Sequence, residues 1–77
     1  MSKKDIKMNM KKRAKMAAGM VNLLRDDIEY LKADANDFDV LCLEESIKDT
    51  KATLQMITDN VTEIEYLLYL ANSKESC

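Results

Sequence analysis

The sequence lacks the residues that usually end helices and build catalytic sites. It has no proline, no histidine and no tryptophan, and a single glycine among its 77 residues. Because Pro and Gly are the strongest local signals for turns, a chain with so few of them has few turns. The apolar residues are mostly Leu, Ile, Met, Val and Ala, with only one Phe and three Tyr. We therefore expect an all-α fold with long helices.

The absence of histidine also removes most catalytic motifs. No Cys-His or Ser-His pair can form, no glycine-rich phosphate loop is present, and the Glu-x-x-His motif of di-iron bundles is excluded. The spacing of Asp34, Asn36 and Glu45 matches part of a calcium loop, but Asp39 stands where the sharp turn needs glycine. We expect a non-enzymatic protein with no metal, no cofactor and no small-molecule substrate.

The two cysteines do not indicate a disulfide framework. Cys42 and Cys77 lie roughly 50 Å apart on a continuous helix, whereas bridged Cα atoms lie within about 7 Å. Unpaired thiols suit a reducing cytoplasm. The N-terminal residues have no apolar core of the signal-peptide kind, and no apolar run reaches the roughly 20 residues of a membrane span. We expect a cytoplasmic protein.

The stretch from residue 40 to residue 71 has the clearest pattern in the chain. Residues spaced alternately three and four apart are apolar except Thr50, which predicts a stripe that packs against a partner helix. These positions are Val40, Leu43, Ile47, Thr50, Leu54, Ile57, Val61, Ile64, Leu68 and Ala71. We expect this whole stripe to hold the first helix.

The first half of the chain also predicts a helix, and an acidic break separates the two. Asn36 can take the left-handed conformation that closes a helix, Asp37 is a good N-cap for the next one, and Phe38 is expected to cover the end of the seam. We predict one helical-hairpin domain over 1–77, with helix 1 at about 4–34, a turn at 35–38, helix 2 at about 38–72 and a disordered tail at 73–77.

A single hairpin of this length has one seam and buries too little apolar surface to offset the entropy cost of ordering, so we expect self-association. We predict a homodimer that forms an antiparallel four-helix bundle with coiled-coil-like heptads. The residues expected in its core stripe are Met16, Met20, Leu23, Leu54, Ile57, Val61, Ile64 and Leu68. In outline this architecture is similar to that of Rop, the plasmid RNA-binding repressor with two-helix protomers. The likeness covers topology, length and an acidic interhelical turn. Small size and composition also fit a phage or plasmid origin.

Charge is distributed unevenly along the chain. Residues 1–15 carry seven basic side chains and one acidic one, whereas the remainder carries five basic and thirteen acidic ones. In an antiparallel hairpin the basic segment can pair internally with Asp59, Glu63 and Glu65. It can instead contact nucleic acid, an acidic partner or anionic lipid. The residues expected to make such contacts are Lys4, Lys7, Lys11, Lys12 and Lys15.

The C-terminal part of helix 2 predicts a contact with a different protein. Residues 66–71 are apolar or aromatic around the whole helix, and tyrosine is enriched at interfaces because it combines an apolar body with a polar tip. The expected contact residues are Tyr66, Leu67, Tyr69, Leu70 and Tyr30. The function expected from the sequence is that of a small regulatory protein, an inhibitor or an adaptor, acting by protein binding. The alternative is a nucleic-acid-binding helical dimer that uses the basic start of helix 1.

Overall fold

The protein is a hairpin of two long helices, seen in a computed structural model that describes residues 2–75. Helix α1 spans Lys3–Asp37 and helix α2 spans Val40–Glu75. They pack side by side into a rod with extents of 58 × 16 × 13 Å. The prediction of an all-helical chain with two helices packed against each other is confirmed.

The first helix begins and ends with recognisable caps. The hydroxyl of Ser2 accepts a hydrogen bond from the Asp5 amide at 3.1 Å. At the other end Phe38 takes the left-handed conformation, with φ at 52°. Its amide donates to the Ala35 carbonyl at 3.2 Å, and the Asp39 amide donates to the Asp34 carbonyl at 3.0 Å. This pair of bonds is the Schellman pattern, which satisfies carbonyls that the end of a helix would otherwise leave unpaired.

Asp39 caps the second helix. Its carboxylate accepts from the Cys42 amide at 3.2 Å, and its main-chain carbonyl accepts from the Leu43 amide at 2.8 Å. The predicted turn was therefore two residues early, because Phe38 takes the role expected of Asn36 and Asp39 takes that of Asp37.

Two further expectations about the helix ends were wrong. The Phe38 side chain is 79% exposed, so it does not cover the end of the seam. Helix α2 continues to residue 75, so the predicted disordered tail is wrong for residues 73–75. The prediction for residues 76 and 77 lies outside the described residues.

The seam between the helices is only partly apolar. Ile6 and Leu67 are the buried apolar side chains of the described residues, whereas Ser46, Thr50 and Asn60 are buried and polar. On α1 the residues facing α2 are Ile6, Met10, Arg13, Ala17, Met20, Leu24, Asp27, Leu31 and Asp34. On α2 those facing α1 are Leu43, Ser46, Thr50, Thr53, Ile57, Asn60, Ile64, Leu67 and Ala71.

The predicted stripe of α2 is therefore half right. Five of its ten positions face α1, but the other five point outward and are 41–54% exposed. The outward residues are Val40, Ile47, Leu54, Val61 and Leu68. Their expected places beside α1 are taken by Ser46, Thr53 and Asn60, each of which meets a polar partner on the other helix.

Candidate protein-interaction surface

Two hydroxyl groups of α2 bind carboxylates of α1 across the seam. The Ser46 hydroxyl donates to the Asp34 carboxylate, and the Thr53 hydroxyl donates to that of Asp27 at 2.6 Å. Hydrogen bonds to an ionised acceptor are stronger than those between neutral groups. Donor and acceptor both recur every seven residues, so the two contacts repeat along the seam.

Asn60 makes the third polar contact and is only 4% exposed. Its amide nitrogen donates to the Met56 carbonyl at 3.1 Å and lies 3.5 Å from the Met20 sulfur. Its amide oxygen accepts from the Arg13 guanidinium at 3.2 Å. A buried polar residue in a helical seam fixes register, because other alignments leave it unpaired. These contacts therefore set which side of α2 meets α1.

As a consequence, one flank of the hairpin is an exposed apolar surface, which we call the apolar face. Both helices contribute a row of residues seven apart, and in an antiparallel pair the two rows lie on the same side. The apolar face consists of Ala14, Val21, Ile28 and Ala35 from α1 and Val40, Ile47, Leu54, Val61 and Leu68 from α2. Its seven large side chains are between 41% and 54% exposed.

The opposite flank is acidic near the turn. A hollow there brings Tyr30 of α1 beside Cys42 of α2, and its other lining residues include Asp27, Asp34, Glu45 and Asp49. The pKa of the Cys42 thiol is raised, first by its hydrogen bond to the Asp39 carboxylate and next by the charge of that carboxylate. Desolvation and the charge of Asp34 raise the pKa further. Further from the turn this flank also carries exposed Met16, Leu23 and Met56. Asp49 and Glu63 interrupt its α2 row, however, so among residues 2–75 the apolar face is the flank on which the rows of both helices are apolar.

Charged residues border the apolar face on both long edges. On each helix they form a row with seven-residue spacing, offset by four residues from the row of the face, one helical turn further along the same side. The α1 edge, which we call the basic rim, carries Lys4, Lys11, Arg25 and Lys32. The α2 edge, which we call the mixed rim, carries Glu44, Lys51, Thr58 and Glu65. Arg25 lines one shallow hollow together with Val21 and Ile28, which places this rim directly beside the face.

The residues expected in the dimer stripe fall into three places. Met20, Ile57 and Ile64 lie in the seam within the hairpin. Leu54, Val61 and Leu68 lie on the apolar face. Met16 and Leu23 are exposed on the opposite flank. The dimer stripe expected from the sequence did not include the α1 half of the face, although Ala14, Val21, Ile28 and Ala35 recur every seven residues in the apolar stripe of the first helix.

The residues expected to contact a different protein are not all available for it. Tyr66 and Tyr69 project outward from α2 and are 54% and 66% exposed. Leu70 is half-buried. Leu67 was predicted wrongly, because it is 2% exposed and packs in the seam. Tyr30 is exposed but lies near the turn, at the other end of the rod from the tyrosine pair.

Five lysines of the basic segment do not pair with Asp59, Glu63 or Glu65 as one interpretation expected. Lys4, Lys7, Lys11, Lys12 and Lys15 are all exposed. Within residues 2–75 no ion pair joins them to Asp59, Glu63 or Glu65. Their ammonium groups therefore face solvent.

The described part of the chain carries neither a metal-binding cluster nor a membrane-spanning helix. Residues 2–75 hold no group of three or more His, Cys, Asp or Glu side chains placed to bind a metal ion. No helix among them is long and apolar enough to cross a membrane. No protein-family model, no curated protein and no solved structure matches this chain.

Proposed function

We propose that this protein is a small non-enzymatic regulatory protein, an inhibitor or an adaptor, that works by binding other protein chains. The observation that carries the proposal is the apolar face, with seven large side chains exposed in one strip along the rod. Contiguous exposed apolar surface on a helical protein marks an interaction site, because water is a poor solvent for it.

The energetics favour a partner with a matching apolar surface. Burying a Val, Leu or Ile side chain completely is worth about 1.5–3 kcal/mol. Seven half-exposed side chains therefore contribute roughly 5–10 kcal/mol when covered, and a partner that brings a similar set doubles this. Association costs about 4–15 kcal/mol in lost freedom of motion. The surplus over this cost is larger for an apolar partner than for a polar one, so the face favours an apolar partner. The expected unit is a homodimeric four-helix bundle.

The surface for the regulated protein is the outward tyrosine pair, Tyr66 and Tyr69. Neither side chain lies on the apolar face, so both stay accessible when that face is covered. Large, stiff aromatic side chains of this kind carry much of the binding energy at protein interfaces. Leu70 borders them, and the solvent-facing lysines of α1 lie at the same end of the rod.

The alternative function is nucleic-acid binding by the basic segment. It is favoured by one observation, that Lys7, Lys11 and Lys12 face solvent without partners among Asp59, Glu63 and Glu65. Clustered unpaired lysines supply a salt-dependent affinity for phosphates. No aromatic side chain is interleaved with them, so base stacking is not indicated.

Capture of a protein from host-cell extract by the immobilised chain distinguishes the two functions. We expect a specific protein to be retained, and Tyr66→Ser with Tyr69→Ser to release it. Tyr30→Ser is the matched control, since Tyr30 is at least as exposed as the tyrosine pair but lies near the turn. The proposal fails if nothing is retained while the chain shifts DNA or RNA in a gel at low salt and Lys7→Glu with Lys11→Glu abolishes that shift.

A further inference from the structure

We propose that a second copy of this chain covers the apolar face, with its α2 on α1 and its α1 on α2, so that both turns lie at one end. This arrangement is a bundle with its twofold axis along the rod. It rests on the proposed function, because it names the partner and the orientation for the same face.

The surface area of the hairpin fits a partner of this size. The chain exposes 6060 Å², whereas a compact monomer of its mass exposes roughly 4,800 Å². The excess exceeds the roughly 800 Å² that each partner hides in a standard interface. A second hairpin has the same length and the same seven-residue spacing on its own face, so it can cover the strip from end to end.

The charges on the two rims favour this orientation. Rotation about the long axis keeps every residue at its own height, so the basic rim of one copy meets the mixed rim of the other. The hydrogen-bond register of the hairpin then places Lys32 within about one helical turn of Glu44 of the second copy. Lys11 is placed in the same way beside Glu65 of the second copy. One like-charge contact, Arg25 beside Lys51, opposes these two, and each contact occurs twice in the dimer.

The other twofold arrangement is electrostatically worse. An axis across the rod packs α1 against α1 and puts the two turns at opposite ends. The basic rim would then lie along the basic rim of the second copy, so that Lys4, Lys11, Arg25 and Lys32 would all face positive charge. Like charges brought together at an interface disfavour that partner orientation.

The proposed arrangement also has a consequence for the tyrosine pair. With both turns at one end, the other end of the bundle carries both basic segments and both copies of Tyr66 and Tyr69. The dimer then presents a doubled basic and aromatic end, and an acidic end formed by the two turns. A protein partner of the basic and aromatic end would carry negative charge.

Cross-linking between rim positions distinguishes the arrangements. Ala18 and Thr58 lie near the middle of the two rims and at similar heights. In a background with Cys42→Ser and Cys77→Ser, chains with Ala18→Cys alone and with Thr58→Cys alone are prepared, mixed in equal amounts, and treated with a short bismaleimide. We expect cross-linked dimers in the mixture and few in either variant alone.

Each of the other cross-linking results would overturn the proposed arrangement, and each would do so in a different way. If Ala18→Cys or Thr58→Cys cross-links efficiently with itself, the axis lies across the rod, and the arrangement is overturned while protein binding through the face stands. If nothing cross-links but sedimentation shows a dimer, the arrangement is also overturned. If nothing cross-links and every chain sediments as a monomer, the second copy is overturned as partner, and capture of another protein then decides the proposed function.

A charge reversal gives an independent readout. Lys11→Glu should weaken dimerisation about three- to tenfold, in line with exposed ion pairs, and adding Glu65→Lys should restore it. Lys12→Glu is the matched control, because Lys12 lies on the outer side of α1 and should leave the dissociation constant unchanged. Equal effects of Lys11→Glu and Lys12→Glu, or no rescue by Glu65→Lys, would contradict the pairing.

Discussion

At the scale of single residues, the least usual backbone position in the described chain is Phe38. It is the only non-glycine residue with positive φ among residues 2–75, and its aromatic ring is 79% exposed. The left-handed conformation costs an L-residue roughly 1–2 kcal/mol, which glycine avoids. The ring gains little from packing in return.

Phe38→Gly should therefore stabilise the fold by about 1 kcal/mol. Phe38→Ala is the control, because it removes the ring but keeps the Cβ atom and so should change stability little. Urea unfolding followed by circular dichroism measures both variants. If the two variants are equally stable, the left-handed backbone of residue 38 does not lower the stability of the fold.

Cys42 is the second informative residue, because its environment makes it a poor nucleophile. The thiolate is the reactive form, and Asp39 raises the thiol pKa by hydrogen bonding and by charge. In Cys77→Ser protein, Asp39→Asn should lower that pKa and raise the rate of alkylation by iodoacetamide several-fold at pH 8.

The pH dependence of alkylation shows the direction in which Asp39 shifts the pKa of the Cys42 thiol. With Asp39 present, alkylation should rise only at higher pH than for an ordinary thiol, and Asp39→Asn should move the rise to lower pH. Asparagine remains a good N-cap, so α2 should persist. Asp37→Asn is the control and should leave the profile unmoved. Identical profiles for all three proteins would exclude Asp39 as the cause.

At the scale of the helices, the polar contacts of the seam decide which side of α2 faces α1. Thr53→Val keeps the shape of the side chain but removes the hydroxyl that donates to Asp27 at 2.6 Å. Losing a bond to a charged acceptor costs about 1–3 kcal/mol. Thr62→Val is the control, since Thr62 is exposed on the outer side of the same helix.

Urea midpoints at equal chain concentration test this prediction. Thr53→Val should unfold at lower urea than Thr62→Val, which should stay within about 0.5 kcal/mol of the parent. Should both variants match the parent, the seam contacts would not determine how the helices pair.

The sequence predicted the helices well because apolar periodicity and missing turn residues act locally. It did not predict which half of the α2 stripe faces α1. A stripe with positions alternately three and four apart contains two rows, and Leu54 and Ile57 look alike in such a pattern. The choice depends on contacts between distant residues, such as Asn60 with Arg13. The seven-residue recurrence of Ser46, Thr53 and Asn60 was the one available signal, since their partners recur with the same spacing on α1.

The turn was misplaced for a related reason. Asn36 and Asp37 have the right chemistry for a cap, and Phe38 does not. The Schellman bonds from Phe38 and Asp39 nevertheless close α1 two residues later. Residue preference at a helix end is a weak signal, so it did not locate the hydrogen bonds that close α1.

At the scale of the whole molecule, the apolar face is the feature that determines how the chain associates. The hairpin puts polar groups into its own seam and leaves large apolar side chains outside. Such a division is unfavourable for an isolated hairpin and favourable for one that is half of a larger bundle. Leu54→Glu with Val61→Glu should abolish association, because both side chains lie in the middle of the face. Gln55→Glu with Thr62→Glu adds the same charge one residue further along, on the outer side.

Sedimentation equilibrium of the unmodified protein at micromolar concentration shows directly whether a second copy covers the apolar face. We expect a dimer that Gln55→Glu with Thr62→Glu keeps and that Leu54→Glu with Val61→Glu converts to a monomer. Circular dichroism of the same samples shows whether the chains are helical. The contradicting result is a fully helical monomer of the unmodified chain that is at least as stable as its Leu54→Glu, Val61→Glu variant. Such a monomer would show that no second copy covers the apolar face.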